Sequence, residues 1–150
     1  MKKVILLTAI ILISTNSFSQ HKEKDKIIAA AKDYFEGWFD GDTIRMKKAL
    51  HPELRKTIMI PAKSGKGQIL YHLNKKEMVE YTKVGYGKKE PRDSLNHTYK
   101  VLDIYNGVIS IVRAESFQFV DYLQLAKYNG EWKILNVLWE SKVSSKRKSD

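Results

Sequence analysis

The stretch FVDYLQLAKYNGEWKILNVLW, residues 119–139, reads as two long strands joined at Asn129-Gly130. The Asn-Gly dipeptide favours a tight hairpin because both of its residues tolerate positive φ. In the first strand Asp121 sits in the middle of a row of apolar residues that share one face, namely Phe117, Phe119, Leu123 and Leu125. A carboxylate among hydrophobic side chains needs a hydrogen-bond partner, a proton or a ligand. Asp121 is therefore the strongest functional candidate in the sequence.

Upstream of this hairpin the sequence alternates helical and extended patterns. Apolar residues at three- and four-residue spacing predict a helix over Asp25–Phe39, which Gly41 ends. Asp42 or Thr43 caps a second short helix, and we expect it to end at His51-Pro52 because the residue before proline disfavours the helical region. The remaining predicted elements are short strands at Thr57–Ile60 and Gln68–His72 and a helix that begins with the capping-box pair Asn74 and Glu77 and ends near Lys83.

After Pro91 the apolar periodicity changes from 3.6 residues to two. The predicted strands are His97–Tyr105, Val108–Ser116, Phe117–Tyr128 and Glu131–Glu140. Helices followed by a meander of antiparallel strands predict an α+β domain with helices laid on one face of a curved sheet.

The amino terminus has the pattern of a secretory signal peptide. Lys2 and Lys3 precede an apolar run over residues 4–13, and Ser17-Phe18-Ser19 offers small residues at a cleavage point. The run is shorter than the roughly 20 residues that span a bilayer, so no stable membrane insertion is expected. The sequence thus divides into a signal peptide (1–19), one domain (20–141) and a basic flexible tail (142–150), and the mature protein is expected to be periplasmic or secreted.

Composition excludes several chemistries. The chain has no cysteine, so disulfides, thiolate catalysis and cysteine metal sites are excluded. The four histidines show no metal-ligand spacing, and neither a metal site nor a cofactor is predicted.

The net charge of +10, or +8 without Lys2 and Lys3, is concentrated in a tail (Lys142, Lys146, Arg147, Lys148) and a loop (Lys83, Lys88, Lys89, Arg92). No nucleic-acid partner is expected, because no stacking-aromatic motif accompanies this charge.

Several motifs, in order and spacing, resemble a known superfamily. They are Tyr34-Phe35-Glu36-Gly37-Trp38 with Gly41-Asp42, then His51-Pro52, and finally Asp121-Tyr122-Leu123 with Trp132-Lys133-Ile134 and Trp139. The set, which covers about Lys24 to Ser141, resembles the nuclear transport factor 2-like superfamily of ketosteroid isomerases and polyketide cyclases. Within it the sequence is most similar to the small bacterial lumazine-binding proteins. The resemblance implies a cystatin-like cone with helices on the concave face of the sheet.

The resemblance also implies roles for particular residues. In ketosteroid isomerases a helix tyrosine and a protonated aspartic acid form an oxyanion hole, and a second aspartate is the base. Tyr34 resembles that tyrosine and Asp121 that aspartic acid, but the base position holds Ile60. Isomerase activity is therefore not expected.

Three hypotheses of function follow. The preferred one is an exported, non-catalytic domain whose cone binds a small apolar or aromatic molecule, such as a lumazine-like ligand. Its candidate ligand-binding residues are Tyr34, Trp38, Ile60, Tyr71, Phe119, Asp121, Leu123 and Trp139. The alternatives are an enzyme of the cyclase or isomerase type that uses Asp121 with Tyr34, and an interaction module that forms a homodimer through the sheet. In the last case Asp121 is a structural acid held by Tyr34, a backbone amide or Arg113.

Overall fold

The computed structural model of the chain describes residues 2–89 and 96–142, with side chains for residues 21–88 and 96–142. Arg92 of the basic loop and Lys146, Arg147 and Lys148 of the basic tail lie outside the described residues. The helices are α1 (Lys2–Asp40), α2 (Thr43–Ala49) and α3 (Lys75–Val84), followed by a short 3-10 helix at Gly87–Lys89. The strands are β1 (Leu50–Pro61), β2 (Gln68–Leu73), β3 (Thr98–Tyr105), β4 (Ile109–Glu115), β5 (Phe119–Tyr128) and β6 (Glu131–Ser141).

The helices end where their capping residues predict. Gly41 has a φ of +65° and follows α1, and the Asp42 carboxylate caps α2 by accepting from the Ile44 and Arg45 amides. Asn74 and Glu77 form the predicted capping box of α3. α1 extends upstream of the predicted Asp25 to Lys2, through a segment without glycine or proline. No helix in the described ranges is long and apolar enough to span a membrane.

The six strands form one curved, unclosed sheet in the order β2-β1-β6-β5-β4-β3. All neighbouring strands are antiparallel except β1 and β6, which are parallel. β1 begins at Leu50, seven residues before the predicted Thr57, so His51-Pro52 starts a strand immediately after α2 ends. The length of β1 has a functional consequence, because it brings Lys56 into the sheet beside β6.

Both Asn-Gly turns adopt the predicted conformation. Asn106 and Gly107 join β3 to β4, and Asn129 and Gly130 join β5 to β6, with φ between 49° and 81° at all four residues. Positive φ at both central residues matches the right-handed twist of the flanking strands. The second turn sets the register of β5 and β6 as far as Leu125 opposite Ile134, and a one-residue register shift between Leu125 and Gln124 then places Asp121 opposite Trp139.

The helices cover one face of the sheet and bury the core there. The buried apolar residues of α1 are Ile27, Ala30, Ala31, Tyr34, Phe35 and Phe39, and they pack against residues of the sheet that include Val112, Leu123, Leu125, Ile134 and Val137. The opposite face exposes several apolar side chains, among them Ile109, Ile111, Tyr122 and Leu138. Self-association through this second face stays a prediction.

A polar contact at Glu23 anchors α1 to the sheet. The Glu23 carboxylate accepts a hydrogen bond from Trp132 Nε1 at 2.8 Å and pairs with Lys127 Nζ at 2.7 Å. Hydrogen bonds from Lys127, Trp132 and Lys26 lower the pKa of Glu23 from 4.5 to about 2. Glu23 therefore stays ionised at neutral pH and ties α1 to both strands of the carboxyl-terminal hairpin.

Candidate functional site

Three polar side chains meet inside the core, and we call Tyr34, Lys56 and Asp121 the polar cluster. Tyr34 Oη donates to Asp121 Oδ2 at 2.8 Å. Lys56 Nζ donates to Asp121 Oδ2 at 2.9 Å and to Tyr34 Oη at 2.5 Å. The exposed fraction is 3% for Tyr34, 9% for Lys56 and 2% for Asp121. Because buried charges are costly without a partner, the Lys56–Asp121 ion pair is what permits both groups to be there.

Strand alternation places the side chains of Lys56 and Asp121 on the same face of the sheet. In β5 the alternation of strand residues places Asp121 on the helix-covered side with Leu123 and Leu125. In β1 the same alternation places Lys56 between Leu54 and Ile58. β6 lies between these two strands, so the cluster spans three neighbouring strands beneath α1.

Burial and charge set the protonation of the cluster. Burial, reinforced by the negative charge of Asp121, raises the pKa of Tyr34 well above its ordinary value, so its hydroxyl stays protonated. Burial lowers the pKa of Lys56, and the charge of Asp121 opposes that shift. Asp121 Oδ1 is buried and accepts no hydrogen bond within the described part of the chain. The described part of the chain thus leaves one carboxylate oxygen of Asp121 without a donor, beside a buried amine.

The polar cluster lies in the wall of a cavity of about 240 Å³. The other lining residues are mainly aromatic: Phe35, Trp38, Phe39, Leu73, Met78, Tyr81, Tyr86, Phe119 and Trp139. Asp121 is the only carboxylate among the described lining residues. Pockets for drug-sized ligands span roughly 300–1,000 Å³, so this cavity suits a smaller molecule.

The rings of Trp139 and Tyr34 lie next to the ammonium group of Lys56. Lys56 Nζ lies 4.6 Å from the centroid of the Trp139 ring and 5.2 Å from that of Tyr34. Phe119 meets Trp139 edge to face, with ring centroids 5.3 Å apart. Rings at these distances stabilise a cation through their quadrupoles and offer flat surfaces to a planar ligand.

The 3-10 helix after α3 packs closely on one cavity residue. A Cβ at Gly87 would lie 2.3 Å from the carbonyl oxygen of Trp38, so only glycine permits this approach. Tyr86, next to this glycine, lines the cavity. The segment after α3 therefore contributes to the same wall as α1.

The structure brings together five of the eight ligand-binding candidates. Tyr34, Trp38, Phe119, Asp121 and Trp139 line the cavity, whereas Ile60, Tyr71 and Leu123 do not. Leu123 is fully buried in the core. Ile60 lies near the end of β1 where it pairs with β2, and Tyr71 on β2 is 40% exposed and hydrogen-bonded to Tyr81. Ligand contact by any of the eight stays a prediction.

Two further expectations differ from the structure. Phe117 does not share the face of Phe119, because Ser116 Oγ accepts from the Gln118 and Phe119 amides and turns the chain just before β5 begins. Phe117 is consequently 47% exposed. Arg113 pairs with Glu115, and the residues that hold Asp121 are Tyr34 and Lys56.

Sequence reasoning missed Lys56 and most of the contribution of α3. The predicted strand begins at Thr57 and therefore leaves Lys56 outside it. The signal was present in the spacing Leu54-x-Lys56-x-Ile58, which places the lysine on an apolar strand face. Met78 and Tyr81 lie on one side of the predicted helix that begins at Asn74, but nothing in the sequence indicates that this side closes a cavity.

Solved structures with the same fold share little sequence with this chain. A nuclear transport factor 2-like protein from Silicibacter pomeroyi DSS-3 is 13% identical, with a TM-score of 0.59 over 83% of this chain and 98% of its own. A domain with a cystatin-like fold from Nostoc punctiforme PCC 73102 is 13% identical, with a TM-score of 0.53 over 81% and 78%. A hexachlorocyclohexane dehydrochlorinase from Novosphingobium barchaimii LL02 is 10% identical, with a TM-score of 0.53 over 84% and 90%. At this identity the likeness establishes the fold alone.

The fold and the family match that follows identify a nuclear transport factor 2-like domain. The chain belongs to the family described as "Putative lumazine-binding", whose model matches residues 22–140. No curated protein sequence is similar enough to match the chain.

Proposed function

We propose that this protein binds a small planar aromatic molecule in the cavity and releases it chemically unchanged. The observation that carries the proposal is Asp121 Oδ1, a buried acceptor without a donor among the described residues, on a side chain that lines a mainly aromatic cavity. An orphaned buried acceptor costs roughly 1–3 kcal/mol, which a ligand donor would recover. Asp121 is the one carboxylate among the described lining residues, so the described wall lacks the second acid that isomerase proton transfer requires.

The polar cluster restricts the chemistry of such a ligand. Asp121 Oδ1 accepts, and so it suits an N–H or O–H at the edge of the molecule. The Lys56 ammonium donates, and so it suits a carbonyl oxygen or a ring nitrogen on the same edge. A lumazine-like ring system carries ring N–H groups beside carbonyl groups, and its flat faces match Trp139 and Phe119. The family description is consistent with this ligand class.

Removal of one cavity ring tests the binding proposal. We expect lumazine to quench the tryptophan fluorescence of the wild-type protein saturably at one site. Phe119→Ala removes apolar contact area from the wall, and a loss of about 1.4 kcal/mol weakens binding about tenfold. Phe117→Ala is the matched control because Phe117 lies outside the cavity, and its binding should equal that of the wild type. Equal weakening by both variants, or no saturable quenching at all, would contradict the proposal.

We propose in addition that the protein is exported. The proposal rests on Lys2-Lys3, the apolar run after them and the small residues near Ser19. Mass spectrometry of the protein recovered from the producing cells should give a mature chain that begins near Gln20 in the periplasmic or secreted fraction. An intact Met1 terminus on cytoplasmic protein would be the contrary result.

A further inference from the structure

We propose that Lys56 captures an aromatic aldehyde or ketone in the cavity as a reversible imine. The inference rests on the proposed function, since the carbonyl compound occupies the same cavity, and it adds a ligand class: unlike the amide carbonyls of a lumazine-like ring, an aldehyde or ketone carbonyl can condense with an amine. Simple noncovalent binding of an aromatic molecule would not require a primary amine in the cavity. The chain places a primary amine inside an aromatic cavity, where a neutral side chain would be less costly.

The geometry supplies what imine formation needs. Lys56 lines the cavity, so a bound carbonyl carbon can reach its nitrogen. Asp121 Oδ2, at 2.9 Å from Lys56 Nζ, can take the proton that the ammonium must lose before it attacks. Tyr34 Oη contacts both groups and fixes their positions. The mostly apolar wall limits water, which would otherwise return the imine to the free carbonyl.

Protons and atoms balance within the polar cluster. A proton moves from the Lys56 ammonium to Asp121, and the free amine adds to the carbonyl carbon to give a zwitterionic adduct. A second proton then passes from nitrogen to the former carbonyl oxygen, which gives the neutral carbinolamine. Asp121 then returns its proton to that oxygen, the C–O bond breaks, and one water molecule leaves as the C=N bond forms. The product is a protonated imine beside an ionised Asp121.

The charges explain why this step suits a buried site. Before and after the reaction the nitrogen carries one positive charge and Asp121 one negative charge, so the ion pair is kept. Trp139 and Tyr34 face the cation in both states. The reaction therefore leaves no unpaired charge in the core.

Burial makes the free amine a larger fraction of Lys56 than of an exposed lysine. The titratable groups that contact Lys56 are Tyr34 from α1 and Asp121 from β5, and its strand neighbours are the uncharged Leu73 and Val137. Burial lowers the pKa of Lys56 despite the charge of Asp121. Each unit by which the pKa falls raises the fraction of free amine about tenfold near neutral pH.

The test uses 2-naphthaldehyde as the probe and 2-naphthylmethanol, which has no carbonyl group, as its matched analogue. The wild-type protein is treated with limiting aldehyde, reduced with cyanoborohydride, digested, and mapped by mass spectrometry. We expect Lys56 to be modified about tenfold faster than the exposed Lys100, with a pH midpoint below the ordinary lysine value of about 10.4. Excess 2-naphthylmethanol should suppress this labelling by occupying the cavity.

Two variants identify the lysine that carries the modification. Lys56→Arg should lose the fast modification while circular dichroism shows it folded, and Lys100→Arg should keep it. Because the primary result is the labelled position in wild-type protein, the test stands even if Lys56→Arg does not fold. Labelling confined to exposed lysines, with 2-naphthylmethanol still bound, overturns imine capture and leaves the binding proposal intact. Absence of both labelling at Lys56 and binding of the alcohol overturns both.

Discussion

Asp121→Asn is expected to lower the free energy of unfolding by about 3–5 kcal/mol at pH 7, because it leaves Lys56 buried without its counter-charge. The substitution keeps the shape of the side chain and its contact with Tyr34, so the loss reports charge and not volume. Urea denaturation monitored by tryptophan fluorescence measures it. Asp103→Asn, on an exposed aspartate of β3, is the matched control and should change stability by less than about 0.5 kcal/mol.

Two further measurements separate the ion pair from a general disturbance of the core. A lysine buried without a counter-charge has a folded pKa below its unfolded pKa, so the unfolded state binds more protons and stability rises with pH. The deficit of Asp121→Asn should therefore shrink between pH 7 and pH 9. Adding Lys56→Met to Asp121→Asn removes the unpaired charge and should recover most of the loss. A single-variant loss below about 1 kcal/mol would show that the pair is not buried as described.

Phe35→Ala is expected to cost about 3–5 kcal/mol, the usual range for removing a buried aromatic ring. Phe35 is 3% exposed, and its ring meets Tyr34, His97 and Tyr99 edge to face at centroid distances of 5.4–5.7 Å. Because the ring also lines the cavity, its removal enlarges a space that the surrounding wall cannot easily fill. The same denaturation experiment gives the loss.

Phe117→Ala provides the same chemical change at an exposed position. With 47% of the side chain already in water, we expect a loss of about 1 kcal/mol. Comparable losses for the two variants would mean that Phe35 is not part of the core. A much larger loss at Phe35 together with weaker binding of lumazine would place the same ring in both the core and the ligand site.

The fold was predictable because its signals are local. The Asn-Gly turns, the Asn74–Glu77 capping box and the glycine after α1 each act over a few residues, and each determines an element end. The α+β class followed from these elements in order, whereas the superfamily and the family followed from the resemblance of motifs such as His51-Pro52 and Asp121-Tyr122-Leu123. The parallel pairing of β1 with β6 was not predicted, because it joins segments about 80 residues apart and depends on which sheet position is left open.

The site was predictable only in part, for the same reason. Asp121 stood out because a carboxylate interrupts an apolar row on one strand. Lys56 has a long apolar stem and is usually a surface residue, so its burial became evident only when α1 and β5 supplied partners. The position of Tyr81 and Tyr86 at the cavity depends on how α3 docks, which no local pattern encodes.

The Glu23 anchor limits how far the chain can be shortened from its amino terminus without loss of a contact between α1 and the sheet. A chain shortened to start at Asp25, the first residue of the predicted helix, would lose the carboxylate and leave Trp132 Nε1 without its acceptor. The amino-terminal limit is thus set by a contact between residues 109 positions apart, not by the apolar periodicity of the helix. The family match, which starts at residue 22, includes Glu23. Cleavage after Ser19 would leave three residues before Glu23. The mature chain would therefore keep its anchor, whereas cleavage four or more residues further along would remove it.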